Sequence, residues 1–225
     1  MGIDLGLFND LERGAIPSTL RIYSWQPNCI SLGYSQNEDR LIDGKMARAL
    51  GWDIVKRPTG GGIVFHNEAE VTYSIVTEIG NPLLPKGLVP SYKKISEAVV
   101  AGLAGIGVAA ELQTSNIKLQ NKSKSPNQKS RTSLCFSFPA EYEIVVSGKK
   151  IVGSAQKRGR RALLQQGSIF VRRPPEEIFP VLKEPYSDHN AVSVEEVLGR
   201  EVGFCEISTA LAKGFSECFG IDFGI

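Results

Sequence analysis

Only two histidines, His66 and His189, occur in this 225-residue chain, more than a hundred positions apart. The four cysteines, Cys29, Cys135, Cys205 and Cys218, are also scattered, and none forms a C-x-x-C pair. A zinc site with the usual ligand spacing is therefore excluded. A disulfide framework is not expected either, because such frameworks belong to small domains with closely spaced cysteines. No stretch approaches 18 uncharged apolar residues, so no membrane-spanning helix is expected. The opening MGIDLGLFNDLERG carries acids and no long apolar run, unlike a secretory signal. A cytoplasmic location and a reducing compartment are the resulting expectations.

Charge of one sign is also lacking overall, since the formal net charge is +2. The balance hides an asymmetry: residues 112–161 hold eleven basic side chains against Glu141 and Glu143. A field divided in this way either steers an anionic partner or reflects a solvated loop with scattered lysines. Nucleic acid is not the expected partner, because no aromatic residues interleave the basic ones between 116 and 131. What is plentiful is apolar residue, at 42%, which places the chain among globular proteins. Its length fits one domain over 1–225.

Periodicity predicts a short amphipathic helix over 2–12, with Ile3, Leu7 and Leu11 recurring, and two strands between Leu20 and Tyr34. A helix capped by Asn37 is expected over 37–50, then strands at 53–58, 63–66 and 70–76. A helix over 91–106 carries Ile95, Val99, Leu103 and Ile106 on one stripe. Residues 113–130, rich in Ser, Asn, Gln and Lys, read as a flexible basic loop. A hairpin turning at Ser147-Gly148, a strand at 168–171 and a short helical segment over 175–182 follow. Ser193 and Glu196 make a capping box, and a last helix covers about 206–219. Strands and helices lack a regular βαβ rhythm, so the expected class is α+β with mixed, largely antiparallel sheets.

Three places have chemical potential. Arg57-Pro58-Thr59-Gly60-Gly61-Gly62 joins two predicted strands; it is either a hairpin turn or a site of close backbone approach to a ligand. It is not a phosphate-binding P-loop, lacking GK[ST] and a following helix. His66 lies just beyond, either at the surface or orienting a substrate. Cys135, in RTSLCFSFPAEYEI, is either an inert cysteine packed with Phe136 and Phe138 or a thiolate activated by Arg131 and Lys150. The other three cysteines read as structural. Lys150, in GKKIVGSAQKR, is either a hairpin lysine or a cation held by a strand for a carbonyl or phosphate oxygen. Lys149 should point the other way. Gly153 and Ala155 keep the space near Lys150 open, and Lys157, Arg158, Arg160 and Arg161 form a basic run fit for an acidic carrier.

Taken together, RIYSWQPNCISLGYSQ at 21–36, RPTGGGIVFH at 57–66 and GKKIVGSAQKR at 148–158 resemble the lipoate and octanoate protein ligases and transferases, relatives of biotin protein ligase. The likeness runs from about residue 4 to 223. It implies a biotin/lipoate protein ligase-like catalytic domain. It implies that Arg57 and Gly60–Gly62 hold the acyl chain and its carbonyl end, that Lys150 is the essential lysine, and that His66, Tyr34, Gln36, Gly153, Ser154 and Ala155 lie at the substrate. Cys135 followed by FSFPAEYE, in place of the N-D pair usual in ATP-dependent ligases, resembles the octanoyltransferase branch of LipM type.

The implied reaction moves octanoyl from octanoyl-acyl carrier protein through a Cys135 thioester to a lysine of a lipoyl domain or the glycine-cleavage H protein. The implied enzyme needs no metal and no nucleotide and is a monomer. An ATP-dependent lipoate–protein ligase is the alternative, followed by an amidotransferase or a non-catalytic acyl- or carrier-binding protein. The chain departs from the family pattern in lacking the N-terminal strand common in relatives and in the length of 113–130. The accessory domain of many ATP-dependent ligases is not expected, which leans toward the transferase.

Overall fold

The computed structural model describes residues 1–113, 142–185 and 190–223. The segment with Cys135, and all of the expected basic loop except Gln113, lie outside the described residues.

Helix α1 (Gly2–Glu12) opens the chain. Strands β1 (Thr19–Tyr23) and β2 (Cys29–Leu32) follow, and then two short helices, α2 (Glu38–Leu41) and α3 (Gly44–Ala49). Next come β3 (Asp53–Lys56), β4 (Val64–His66), β5 (Val71–Glu78) and the long α4 (Leu88–Gly105). Strands β6 (Glu111–Leu112), β7 (Ile144–Val146), β8 (Lys149–Arg158) and β9 (Ala162–Ile169) precede a 3-10 helix over Glu176–Val181. Helices α5 (Val194–Leu198) and α6 (Phe204–Phe219) complete the described order.

The strands form two sheets. Six run antiparallel in the order β1-β5-β9-β8-β7-β6, and three form a mixed sheet in the order β3-β2-β4, with β2 and β3 parallel. This is the α+β class expected from the sequence. The hairpin turn at Ser147 and Gly148 has positive φ at both positions (49° and 75°), which matches the right-handed twist of the flanking strands.

Alternation along the strands gives the large sheet two unlike faces. Val71, Tyr73, Leu163 and Ile169 pack beneath α4 and α6 with Ile95, Val99, Leu103, Ile207, Leu211 and Phe215. The two helices meet where Gly102 and Gly214 face each other. A Cβ on Gly214 would lie 2.4 Å from the Gly102 nitrogen, so glycine permits this approach. On the other face, Val76, Ala162 and Leu164 receive Phe8 and Leu11 of α1. The small sheet has its own core, with Ile30, Leu32, Ile63 and Phe65 packed against Trp52, Ile178 and Val181.

Four expectations need correction. The buried stripe of α1 is Asp4, Phe8 and Leu11, whereas Ile3 is 62% exposed. The helix expected over 37–50 breaks at Ile42, which turns extended and bridges to Leu182; Asp43 then caps α3 through the Lys45 and Met46 amides. Strand β9 begins six residues before the expected 168. Cys205, expected in the core, is exposed at the start of α6, and Cys218 is half-buried, while Cys29 is buried as expected.

Candidate active site

The site lies where the α1-side face of the large sheet meets the glycine turn of the small one. Strand register places Thr72, Ser168 and Gly153 in one row across β5, β9 and β8. Ser74, Gln166 and Ala155 form the next row. These side chains are small or polar on a face where a sheet usually buries branched apolar ones, so they leave a cleft. Its lining includes Arg57, Thr59, Val64, His66, Thr72 and the Gly153–Ala155 run.

Arg57 and Thr59, from the 57–62 turn, line the cleft from the side of the small sheet. The Arg57 guanidinium is buried and turned back on its own loop. Nη1 donates to the Ser31 carbonyl at 2.9 Å and to Ser31 Oγ at 2.6 Å. Nη2 donates to the carbonyls of Gly60 at 3.2 Å and Gly62 at 2.7 Å. Gly61 sits at φ +100°, and its carbonyl packs so near Gly33 that a Cβ there would lie 2.0 Å away. Thr59 ties the turn to the large sheet by donating to Gln166 Oε1 at 3.1 Å. The sequence leaves open whether the run is a plain turn or a closely approached loop. The run is a turn, and its Arg57 and Thr59 line the cleft.

His66 ends β4, with its ring stacked on Trp25 at 4.1 Å between centroids. Its Nε2 lies 2.6 Å from Ser31 Oγ, and Nδ1 contacts Glu70 Oε2. Glu70 Oε1 accepts from Thr72 Oγ1 at 2.6 Å, and Thr72 in turn accepts from Trp25 Nε1 at 2.8 Å. Ser31, His66 and Glu70 are all buried. Asp4 extends the polar network from α1, receiving hydrogen bonds from Arg21, Tyr23, Ser74 and Gln166. Burial, with the Asp4 carboxylate beside it, pushes the Tyr23 hydroxyl well above the ordinary phenol range.

Lys150 is buried near the start of β8, and Lys149 is exposed, as alternation predicts. The Lys150 ammonium lies 2.8 Å from Glu143 Oε2. Burial pushes the Glu143 carboxyl above its usual range, and the charge of Lys150 pulls against that shift. Lys150 is outside the lining of the cleft, three residues before Gly153 on the same strand.

A profile of the lipoyl protein ligase A/B catalytic domain matches residues 1–216. The chain belongs to the lipoyl protein ligase A/B catalytic-domain family. This lipoyl ligase-type chain is 37% identical to "Octanoyltransferase LipM" of Kyrpidia tusciae over 230 residues, covering 98% of this chain and 82% of the relative. It is 36% identical to the protein of that name from Moorella thermoacetica, covering 99% of this chain and 82% of the relative. Among solved structures it resembles lipoate-protein ligase A bound with ATP, with a TM-score of 0.73 and 23% identity over 97% of this chain and 81% of that one. It also resembles a bipartite lipoate protein ligase from Thermoplasma acidophilum, with a TM-score of 0.71 and 22% identity over 98% and 80% of the two chains. The structural likenesses establish a lipoate-protein ligase fold.

Within this family fold, Arg57, His66 and Gly153–Ala155 come together at one cleft, whose lining includes Thr59 but not Gly60–Gly62, Tyr34 or Gln36. Ser154 contributes to the lining, but its hydroxyl lies 2.9 Å from Tyr73 Oη, toward the helix-covered side. Tyr34 is 66% exposed, bound to the turn by its amide to the Thr59 carbonyl at 2.9 Å. Gln36 Oε1 accepts from the Gly33 amide at 2.9 Å. In the basic run, Lys157 Nζ stands 5.9 Å from the Tyr34 ring centre, and Lys56 reaches the same ring at 6.0 Å. Arg158 bonds the Gly87 carbonyl and Ser91 at the start of α4, and Arg161 pairs with Glu78 at 2.8 Å. Arg160 is exposed.

Sequence reasoning missed Asp4, Ser31, Glu70, Glu143 and Gln166. Each is a buried polar side chain whose partners come from other elements. The only local signal is the i, i+4 spacing of His66 and Glu70.

Proposed function

We propose that this chain is an octanoyltransferase of lipoate biosynthesis. It moves an octanoyl group from octanoyl-acyl carrier protein to a lysine amine of a lipoyl domain or the glycine-cleavage H protein. The observation that carries the reading is the near full-length similarity to octanoyltransferases. We take the chain to work as one monomeric catalytic unit in the cytoplasm, and among its described residues no helix is long and apolar enough to cross a membrane.

The roles assigned by sequence fit a two-step transfer. Cys135 thiolate attacks the donor thioester, forming a new C–S bond and a tetrahedral oxyanion. Collapse of that intermediate expels the carrier thiolate, which takes up a proton. The acceptor amine then attacks the acyl-cysteine, loses a proton and displaces the Cys135 thiolate. The Lys150 ammonium stabilises the oxyanion in both steps, which a cation in a water-poor setting does far better than one in bulk water. Glu143 holds that ammonium in place before the reaction. The cleft between the glycine turn and the Thr72, Ser168 and Gly153 row receives the acyl chain.

The test is an incubation with octanoyl-acyl carrier protein and an acceptor domain, without ATP, followed by intact-protein mass analysis. One octanoyl adduct on the enzyme, absent in Cys135→Ser, supports the reading. Modification that requires free lipoate, ATP and magnesium and survives Cys135→Ser overturns it in favour of a ligase.

A further inference from the structure

Hydrogen bonds around His66 share one direction. Arg57 Nη1 can only donate, so its 2.6 Å contact occupies a lone pair of Ser31 Oγ. The Ser31 hydroxyl hydrogen is then available to His66 Nε2, 2.6 Å away. With Nε2 accepting, the ring hydrogen sits on Nδ1 and is donated to Glu70 Oε2. The other Glu70 oxygen is taken by the Thr72 hydroxyl, whose own oxygen accepts from Trp25. Every donor therefore points toward one carboxylate. The order serine, histidine, acid has the form of a hydrolase triad. Ser31 is fully buried, however, so it cannot reach a substrate, and its hydroxyl serves Arg57 instead.

We infer that Glu70 is a positioning residue for the acyl cleft: by holding the His66 hydrogen on Nδ1 it turns the Ser31 hydroxyl toward His66, and Ser31 then anchors Arg57 across the Gly60 and Gly62 carbonyls. The inference rests on the acyl-transfer reading for its consequence in turnover, but not for the hydrogen-bond order. It also states what a neutral copy of Glu70 would do. In Glu70→Gln, Oε1 continues to accept from Thr72, so the amide nitrogen faces His66 Nδ1 and donates to it. The ring hydrogen moves to Nε2. Ser31 Oγ must then accept from both His66 and Arg57, and the hold on the turn loosens.

The chain holds only two histidines, so imidazole nitrogen spectra of the ¹⁵N-labelled full chain need only a His189→Gln control for assignment. The wild type is expected to carry the His66 hydrogen on Nδ1, and Glu70→Gln to carry it on Nε2. With octanoyl-acyl carrier protein as donor, Glu70→Gln is expected to raise the donor KM at least tenfold with kcat within about threefold, a split that a loss of folded protein would not produce. Ser31→Ala should keep the Nδ1 hydrogen and show the same rise in KM, and it decides the matter should Glu70→Gln fail to fold. A wild-type ring protonated on Nε2, or a donor KM unchanged in the folded variants, overturns the inference. The spectra need no turnover. A wild type that transfers nothing while its spectra show the Nδ1 hydrogen therefore overturns the acyl-transfer reading and leaves the hydrogen-bond order standing.

Discussion

The two faces of the six-stranded sheet are built on opposite principles. Beneath α4 and α6 the contacts are apolar and dense, and glycines bring the helices together. Toward α1 and the small sheet the buried groups include Asp4, Thr72, Ser74, Gln166 and Ser168, and order comes from hydrogen bonds. Apolar packing is non-directional and sums over many small contacts, so it secures a fold without choosing one atom's position. A hydrogen-bond network fixes individual atoms, and leaving one partner unmade is costly. The first face should therefore govern stability and the second should govern chemistry.

A larger cleft sharpens the contrast. It lies at the edge strand β1, lined by Leu20, Leu84, Ile95, Phe215 and Phe219. Size alone would favour it over the smaller cleft. Its polar residues Ser18, Thr77 and Asn81 hydrogen-bond one another, whereas the smaller cleft is lined by the ionisable Arg57 and His66.

The strongest test of this division is Lys150→Ala. Transfer per folded molecule should fall on the order of 100- to 1,000-fold, as for removal of an oxyanion donor. Retention of transfer in single-turnover assays would take Lys150 out of the chemistry.

Next is Arg57→Lys. A single ammonium cannot reproduce the fork that spans Ser31, Gly60 and Gly62. A displaced turn should cost on the order of 100-fold in transfer. Urea melts should show a loss of about 1–3 kcal/mol from the unmade bonds, and a loss larger than that of Phe215→Ala would break the division.

Phe215→Ala tests the opposite face. It should cost about 3–5 kcal/mol in denaturant unfolding. Transfer by the folded fraction should stay near wild type.

Acid titration separates the two effects within one residue. The Glu143 carboxyl is raised by burial, so the folded state holds its proton more tightly than the unfolded chain does. Its contribution therefore favours folding at low pH and is lost as pH rises from the ordinary glutamate value through the raised one. Activity runs the other way, because a protonated Glu143 no longer balances Lys150. The acid limb of the transfer rate should lie above the usual carboxylate range and disappear in Glu143→Gln. An unchanged limb would place the titrating group elsewhere.

The smallest effect is expected at the surface. Lys157→Glu should raise the donor KM several-fold at low salt, and the difference should shrink as salt screens it. Arg158 and Arg161 already have partners on α4 and β5, so their reversal mixes docking with local structure.

The same division explains what the sequence makes legible. Apolar periodicity marks α4 and α6 nearly to their ends, because their burial obeys the rule that periodicity measures. It misplaces the buried stripe of α1, where an aspartate occupies a core position and is satisfied by β1, β5 and β9. It misses the first half of β9 for a related reason. Gln165 and Gln166 look solvent-facing, yet both are buried, with partners on neighbouring strands and α1. Arg57, the glycine turn, His66 and Lys150 are readable because their residue types and spacing form a family pattern. Ser31, Glu70 and Glu143 carry no such mark, since their meaning lies in partners brought together by folding. Cys135 is readable in sequence alone.

Strand β8 has a mechanical consequence. It is a ten-residue strand, bulged between Lys150 and Val152, fully buried at Lys150 and only half-buried at Lys157, and hydrogen-bonded to β9 along most of its length. Seven strand steps, one of them at the bulge, separate the two lysines by at most about 23 Å. The strand acts as a ruler between a surface cation and an interior one, with the cleft-lining residues Gly153–Ala155 between its marks. On the proposed reading, a carrier held at the outer mark needs a tether long enough to span the remaining length, so donors with shortened tethers should compete for docking without being turned over.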